Sequence, residues 1–404
     1  MSEASDLTSK RRTIVLINWA HALDHFVLLI FPTVVIGLEL VYQRPYAELI
    51  ALSTAAFVAF GVFALPAGWL ADHWSRRNMM VLFYVGCGVS LAAAALAPNL
   101  TVLAIALFAL GIFAAIYHPV GMTILLQASQ ARGRTLAFNG VCGNLGAALA
   151  AGISAAVATW FGWRAAFLIP AAICLATGLA YWVLIQDDRQ RAGARQKVAD
   201  VVLSPVAAAI MLALYVVISL ASGLTFNTMT IVLPKIVDER LGQAAPLIAI
   251  GGLATMVFMC GALAQLAVGR LVERMAPHTL FAVVASLQFL GLLWAANTTG
   301  LPLIVALGVT MAAIYGQVTV ADLAIARYTA DAWRGRVYAV RYFLTFVSAG
   351  AAVAAIAVLH RRGGSELVLM AMVVIAAVLL AGVLGFFALA NSVEAKRATV
   401  QPAE

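Results

Sequence analysis

The sequence predicts an all-α polytopic membrane protein, with 12 transmembrane helices in two pseudo-symmetric halves of six. Three observations carry this prediction. First, 64% of the 404 residues are hydrophobic and only 10% are charged, whereas soluble domains carry about a quarter charged residues. Second, the apolar residues form twelve runs near the ~20 residues that a membrane-spanning helix needs. Third, a loop motif recurs after about half the chain, which indicates an internal duplication.

The apolar runs give the predicted helices in chain order. The twelve predicted spans are 13–38, 47–70, 78–97, 101–126, 135–158, 163–185, 205–232, 246–269, 278–297, 301–326, 335–359 and 366–390. The longest polar segment between them, 186–204, follows the sixth span and is predicted to be a cytoplasmic linker. The predicted organisation is a tail at 1–12, a six-helix half at 13–185, the linker at 186–204, a second half at 205–390 and a tail at 391–404.

The recurring loop motif lies between the second and third predicted spans. Its small and charged residues are Gly68, Asp72, Arg76 and Arg77, and a weaker copy 201 residues later has Gly269 and Glu273 but no paired arginines. The later copy lies between the eighth and ninth spans. The two copies therefore occupy corresponding places in the two halves, as a parallel duplication requires.

Arginines repeat with nearly the same offset. Arg132 and Arg134 precede the fifth predicted span, and Arg334 and Arg336 precede the eleventh, 202 residues later. These cations are candidate partners for Asp72 across the two halves. Such contacts would stabilise one face of the protein when closed and break when it opens. The alternative is that the charges only set the topology.

The distribution of cations predicts the orientation. With the N-terminus in the cytoplasm, 19 of the 25 Lys and Arg residues fall on the cytoplasmic side. The positive-inside rule then places both termini inside, and we expect a bacterial inner membrane. The net charge of +8 lies in short loops, so it indicates topology rather than binding of nucleic acid.

The spans, the duplication, the linker and the loop motif together resemble the major facilitator superfamily over the whole chain. Gly68, Asp72, Arg76 and Arg77 match the family's motif, while Ser75 stands where a second glycine is common. The resemblance implies a secondary transporter whose two halves rock around a central site. It also implies that the motif is a gate, and that spans 1, 4, 7 and 10 line the central cavity.

One carboxylate lies inside an apolar span. Asp24 is near the middle of the first span, and helical spacing puts Asn18, His21 and His25 in a stripe beside it. A charge in mid-membrane costs at least ~2.5–3.5 kcal/mol and normally serves a function. His118, in the fourth span, is expected at a similar depth, at ~1.5 Å of rise per residue.

The resemblance also identifies candidate substrate contacts in the spans that line the cavity, with Arg341 near the inner end of the eleventh span as a potential partner for Asp322. The candidates are Asn18, Tyr117, His118, Asn227, Tyr315, Gln317, Asp322 and Arg341. An arginine in the cavity would favour an anionic substrate.

Three interpretations of the histidine cluster stay open. In the first, Asp24, His21 and His25 carry the coupling proton, since buried carboxylates favour their neutral form and imidazoles titrate near neutral pH. In the second, His21, Asp24, His25 and His118 bind zinc or another transition metal, and Met256, Met259 and Cys260 add soft ligands for copper. In the third, the cluster is a polar network that braces two helices.

A finer resemblance concerns the fosmidomycin-resistance branch, whose members are proton-coupled exporters. His21, Asp24, Tyr117, His118 and Pro119 match it, whereas Leu23 and the added His25 depart from it. The expected function is proton-coupled export of a small organic solute or drug by a monomer. The alternatives are a proton-coupled importer of a metabolite and a transition-metal transporter. No nucleophile–base constellation or cofactor motif is evident, so we expect neither enzymatic activity nor a cofactor.

Overall fold

The computed structural model describes residues 3–129, 132–186, 204–242, 244–329 and 331–400. These residues form helices joined by short turns. The helices are α1 (Glu3–Tyr42), α2 (Tyr46–Ala51), α3 (Thr54–His73), α4 (Arg76–Ala95), α5 (Leu100–Ala114), α6 (Tyr117–Ala128), α7 (Arg132–Phe161), α8 (Ala165–Leu184), α9 (Pro205–Arg240), α10 (Leu247–Leu271), α11 (Pro277–Ala296), α12 (Gly300–Tyr328) and α13 (Asp331–Val400).

Eleven segments of the described chain are long and apolar enough to cross a membrane. Two of them, Tyr46–His73 and Leu100–Ala128, each join two consecutive helices. The last, Val340–Glu394, has 55 residues and is interrupted by non-helical backbone at Gly363 and Gly364. Its two parts are each longer than the ~20 residues needed. The eleven segments thus carry the twelve predicted spans, and the all-α polytopic fold is confirmed.

Polar residues and prolines set several helix starts. Asn99 caps α5 by accepting a hydrogen bond from the Val102 amide at 2.9 Å, and Ser204 caps α9 just before Pro205. Ser75 accepts a hydrogen bond from the Asn78 amide and caps α4. The serine that replaces the second glycine of the loop motif therefore satisfies one of the free amides at a helix start.

The structure describes little of the predicted linker, but it shows helix in both predicted tails. Most of the linker, 187–203, lies outside the described residues. In the predicted tails, α1 already begins at Glu3 and α13 continues to Val400. The helical parts of these tails, 3–12 and 391–400, contain helix-forming Glu, Ala, Lys and Arg and no proline, so the helices continue beyond the apolar spans.

The two halves meet along two pairs of helices. α7 packs against α1 within its own half and against α10 of the other half, and α3 packs against α13. Small residues make the α7 contacts close, because a Cβ on Gly146 would overlap the backbone carbonyl of Ala22 on α1. α7 is therefore held between the first helix and the second half.

The ends of the helices define two faces of the bundle. The terminal face carries the two chain ends and the junctions α3–α4, α6–α7 and α12–α13, and the distal face carries the junctions α1–α2, α9–α10 and the break at Gly363. On the distal side the halves are joined by an ion pair that is absent from the sequence prediction: Lys235 of α9 lies 2.8 Å from Glu39 of α1.

Candidate functional site

The fourth span has an irregular turn where the candidate site begins. α5 ends at Ala114, and α6 starts three residues later at Tyr117. Pro119 lies in the first turn of α6, where its missing N–H leaves no helical hydrogen bond unmade. Ala115 and Ile116 keep helical dihedral angles, so Tyr117 and His118 follow an irregular turn within one continuous span.

The structure brings Asp24 of α1 against His118 of α6. The Asp24 side chain is fully buried, and its Oδ2 atom lies 3.4 Å from Nε2 of His118. The His118 side chain retains 21% exposure. His118 therefore links a carboxylate removed from solvent to the accessible surface between the helices.

His21 and His25 lie one helical turn apart and point at each other. The Nδ1 atom of His21 is 2.7 Å from the carbonyl oxygen of Asn139, so this nitrogen must carry the hydrogen. The Nε2 atoms of the two rings are 3.2 Å apart. In neutral His21 that Nε2 atom is an acceptor, and His25 supplies the proton that the two rings share.

Asn139 of α7 is the centre of the cluster, and the sequence analysis missed it. Besides holding His21 by its carbonyl, its side-chain nitrogen lies 2.9 Å from Oδ1 of Asn18 and 2.9 Å from the Tyr117 hydroxyl. Nearby, Gly143 makes room for the His21 ring, because a Cβ there would lie 2.5 Å from its Nε2 atom. The sequence feature that could have identified Asn139 is a polar amide side chain inside the apolar span 135–158.

The three imidazoles are close enough to share one ligand. His21, His25 and His118 each offer a nitrogen, and these atoms all lie within 4.8 Å of one another. A divalent transition metal accepts three imidazoles at about 2.0–2.1 Å, so modest side-chain rotations would close the group on an ion. Met256 and Cys260, proposed as soft ligands, are exposed on α10.

The predicted contacts of the second half fall into buried and accessible groups. Tyr315 and Gln317 are 1% exposed inside this half. Asn227 of α9 donates hydrogen bonds to the Thr345 carbonyl and the Ser348 hydroxyl of α13, at 3.0 and 3.1 Å. Asn227 therefore links α9 to α13, and the contact of these three residues with a substrate stays a prediction.

Asp322 and Arg341 form an ion pair between α12 and α13. The Arg341 side chain is 11% exposed and that of Asp322 is 35% exposed. The guanidinium also donates a hydrogen bond to the Val318 carbonyl at 3.2 Å. Arg341 is therefore anchored in the protein, while its carboxylate partner is the more accessible of the two.

The loop motif makes contacts within its own half. Arg76 binds Asp72 at 2.6 Å, one helical turn away. Arg77 donates hydrogen bonds to the carbonyls of Ile185 and Trp182, where a cation complements the end of α8. Gly68 packs against Pro119.

The structure gives no cross-half ion pair or hydrogen bond for Glu273, the other predicted gate residue whose side chain it describes. Glu273 is exposed at the α10–α11 junction. The structure describes only the backbone of Arg132, Arg134, Arg334 and Arg336, so their pairing across the halves stays a prediction.

A charged cluster closes the distal face, and its lysine follows the seventh predicted span, 205–232. Lys235 is 5% exposed, and its Nζ atom also lies 2.9 Å from Asp238 and 3.6 Å from Glu239. Tyr46 of the first half lies beneath the ammonium, which is 5.2 Å from the ring centroid. We call these residues, with Glu39, the distal cluster. It joins the two halves at a buried position.

Comparison with known proteins identifies the family. The family model described as Major Facilitator Superfamily matches residues 14–340, most of the chain. The chain belongs to the major facilitator superfamily. Members of the superfamily are secondary transporters of small molecules and not enzymes, so the predictions of a multi-pass carrier without enzymatic activity are confirmed.

A comparison with curated proteins gives a match of low sequence identity over part of the chain. A lincomycin resistance protein from Streptomyces lincolnensis is 30% identical over 144 residues, which are 34% of this chain. The match spans 29% of that relative, less than a third of its length.

Solved structures show the same fold at low identity. A bacterial homologue of the human lysosomal transporter Spinster, in an inward-facing and occupied conformation, has a TM-score of 0.78 at 13% identity over 95% of this chain and 97% of that chain. A D-xylose–proton symporter has a TM-score of 0.73 at 13% identity over 92% of this chain and 96% of that chain.

Proposed function

We propose that this transporter exports a small organic solute in exchange for protons, and that Asp24 is the proton-coupling carboxylate. The observation that supports this function is the full burial of Asp24 against His118, in the spans expected to line the cavity. Ionisable groups inside a membrane are rare and mark substrate or proton pathways. If Asp24 only braced two helices, a neutral amide could do the same without the free-energy cost of placing an ionisable group inside the membrane.

The histidines give the carboxylate a route to protons. His118 contacts Asp24 and is partly exposed, so it can pass a proton between the accessible surface and the buried oxygen. His21 and His25 share a hydrogen bond next to it. One nitrogen atom of each of the three imidazoles lies within 4.8 Å of the other two, so a proton would have short steps between them on its way to Asp24.

Export by antiport requires that protons and solute compete for one carrier state. With Asp24 ionised, the site would accept the solute from the cytoplasm. Protonation from the other side would then favour solute release and the return of the empty carrier. The halves would rock about the α7–α10 and α3–α13 contacts, as alternating access requires.

Three observations support the direction and the location. The Streptomyces relative is named as a resistance protein, and the resemblance to the fosmidomycin-resistance branch also favours a drug exporter. The excess of cations on one side of the predicted topology supports cytoplasmic termini in a bacterial inner membrane. A proton-coupled importer would use the same residues, with proton and solute moving in the same direction.

The test uses inside-out membrane vesicles that contain the full chain, energised to an acidic interior and read with a pH-sensitive dye. Phosphonates, organic anions, cationic drugs and metal ions are added in turn. We expect proton release with one compound class in the wild type and only the vesicle background in Asp24→Asn.

Glu48→Gln is the matched control, because Glu48 is exposed and pairs only locally with Arg44 at 3.4 Å. It should leave proton release unchanged. Equal proton release by wild type and Asp24→Asn would contradict the coupling role. Solute uptake into the inside-out vesicles, opposite to the proton flux, would support export over import.

A transition-metal carrier is the second candidate, favoured by the 4.8 Å grouping of His21, His25 and His118. Purified protein would then bind Co²⁺ with the visible absorption of a tetrahedral site. Replacing His118 by Gln would remove this spectrum. Metal-dependent proton release in the vesicles, with none for organic compounds, would place this candidate first.

A further inference from the structure

Arg341, the cation of the ion pair with Asp322, occupies the position in the second half that Asn139 occupies in the first half. Asn139 follows Arg132 by seven residues, and Arg341 follows Arg334 by seven. The internal duplication therefore puts the two residues at equivalent positions on α7 and on the first part of α13. One half has an amide that organises the histidine cluster, and the other has a guanidinium.

An aromatic pair connects Arg341 to the histidine cluster. Tyr342 stacks on Phe346 with ring centroids 6.2 Å apart and an interplanar angle of 23°. Phe346 in turn lies 5.0 Å from the His118 ring and 5.5 Å from the Phe60 ring, both in the first half. Tyr342 and Phe346 therefore lie along the face of α13 that meets the first half, while Arg341 points towards α12 of its own half.

The two ends of this face differ in exposure. Tyr342 is 45% exposed, and the guanidinium carbon of Arg341 lies 5.6 Å from the centre of its ring. Phe346, one turn further along the helix, is partly buried against the first half. A flat ring that enters from the terminal face would meet Tyr342 first and would have the Arg341–Asp322 pair beside it.

We infer that Arg341 is a binding site for the acid group of an aromatic carboxylate or phosphonate, which takes the place of Asp322 on the guanidinium. Arg341 stays fixed by the Val318 carbonyl, and the more exposed Asp322 can turn aside. The planar guanidinium suits acid groups with two oxygens, and Tyr342 with Phe346 gives the ring a stacking surface. This substrate class rests on the proposed function.

Binding to the purified full chain in lipid nanodiscs tests the site by calorimetry, with four probes that share one ring. Benzoate and phenylphosphonate carry an acid, benzamide is the neutral analogue of benzoate, and benzylamine is the cation. We expect saturable binding of the two acids and at least ~10-fold weaker binding of the other two, since a hydrogen bond to a charged group is worth about 1.5–3 kcal/mol.

Variants separate a binding role from a folding role. Arg341→Gln alone removes the cation of a largely buried ion pair and is a risk to folding, so the Arg341→Gln, Asp322→Asn double variant is the main test. It should keep the wild-type melting temperature within a few degrees and bind benzoate ~10- to 100-fold more weakly. Arg361→Gln, which removes an exposed cation from the distal face, should bind benzoate normally.

Three results would overturn the inference: benzamide binding as tightly as benzoate, full benzoate affinity in the double variant, or no saturable binding of either acid. Its failure is distinguishable from failure of the proposed function. Asp24→Asn should bind benzoate and lose proton release. If Asp24→Asn keeps proton release while the acids bind through Arg341, the coupling proposal fails and the acid site stands.

Discussion

At the scale of single residues, Asn139 shows how one amide organises a buried site. Its carbonyl fixes the hydrogen of His21 on Nδ1, and its side chain joins Asn18 to Tyr117. Three helices, α1, α6 and α7, thus meet at one residue. The geometry of the histidines depends on α7 as much as on the helices that carry them.

Replacing Asn139 by Ala tests this role. The change leaves the Asn18 amide and the Tyr117 hydroxyl without a buried partner, which costs about 1–3 kcal/mol. We expect a lower melting temperature of the purified protein and slower proton release, with a shifted pH optimum of transport. Asn297→Ala is the control, since Asn297 is exposed and bonds only within its own helix. An unchanged pH optimum in Asn139→Ala would argue for a purely structural role.

Asp24 and the histidines of the candidate site could be predicted from the sequence, but Asn139 at the centre of the site could not. A carboxylate and two histidines in an apolar span stand out because charges are rare there. Asn139 does not stand out, since its importance comes from helix packing that places α7 against α1. The ion pair of Lys235 could not be predicted for a similar reason, because its partner Glu39 is 196 residues away in the chain.

At the scale of helices, α7 has a special position. It faces the histidine cluster on one side, and on the other it contacts α10, where Gln265 binds Asn144 and the Thr255 hydroxyl donates to the Ala148 carbonyl at 2.6 Å. A change of protonation in the cluster therefore acts directly on a helix that forms the contact between the halves. The physical link is continuous packing, as coupling requires.

Filling the α1–α7 contact should disable the protein. Gly146→Leu would place a side chain where the Ala22 backbone now lies, and backbone cannot move aside cheaply. We expect loss of transport and a clear drop in melting temperature. Gly252→Leu is the matched control, because no atom lies within 4 Å of a Cβ at Gly252 on α10. Normal transport by Gly146→Leu would show that the contact is looser than described.

The sequence predicted the helices themselves well, since each span requires an uninterrupted apolar run. The fourth span, expected at 101–126, is one segment from Leu100 to Ala128. The irregular turn between α5 and α6 inside it was not predicted. Pro119 was visible in the sequence, but proline is tolerated within membrane helices, so it did not by itself indicate this turn.

At the scale of the whole molecule, the distal cluster holds the two halves together on one face. Its Lys235 ammonium is buried, and Glu39 is the one carboxylate of the cluster that comes from the first half. Opening this face to solvent must separate the two halves at this point. The distal cluster is therefore expected to favour the conformation in which the distal face is closed.

A reporter cysteine tests this expectation. In a chain whose four native cysteines are replaced by serine, Leu38→Cys puts a thiol at a fully buried position next to Glu39. Adding Lys235→Gln should speed its labelling by a membrane-impermeant maleimide several-fold, because the closed state loses its ion pair. Arg44→Gln removes only an exposed local pair and should leave the labelling rate unchanged. Equal labelling in all three proteins would contradict a latch at this face.

The burial of Asp24 also has an electrical consequence. The carboxylate lies 15 residues from Ser9 and 18 from Tyr42, the two ends of its span, so its charge would sit near the middle of the voltage drop. One elementary charge moved through 100 mV is worth about 2.3 kcal/mol, and half of the drop about half as much. Lys235 and Arg341 each have a carboxylate beside them, which cancels much of their charge. A cycle that protonates Asp24 from one side and deprotonates it to the other would therefore draw on membrane voltage as well as on the pH gradient.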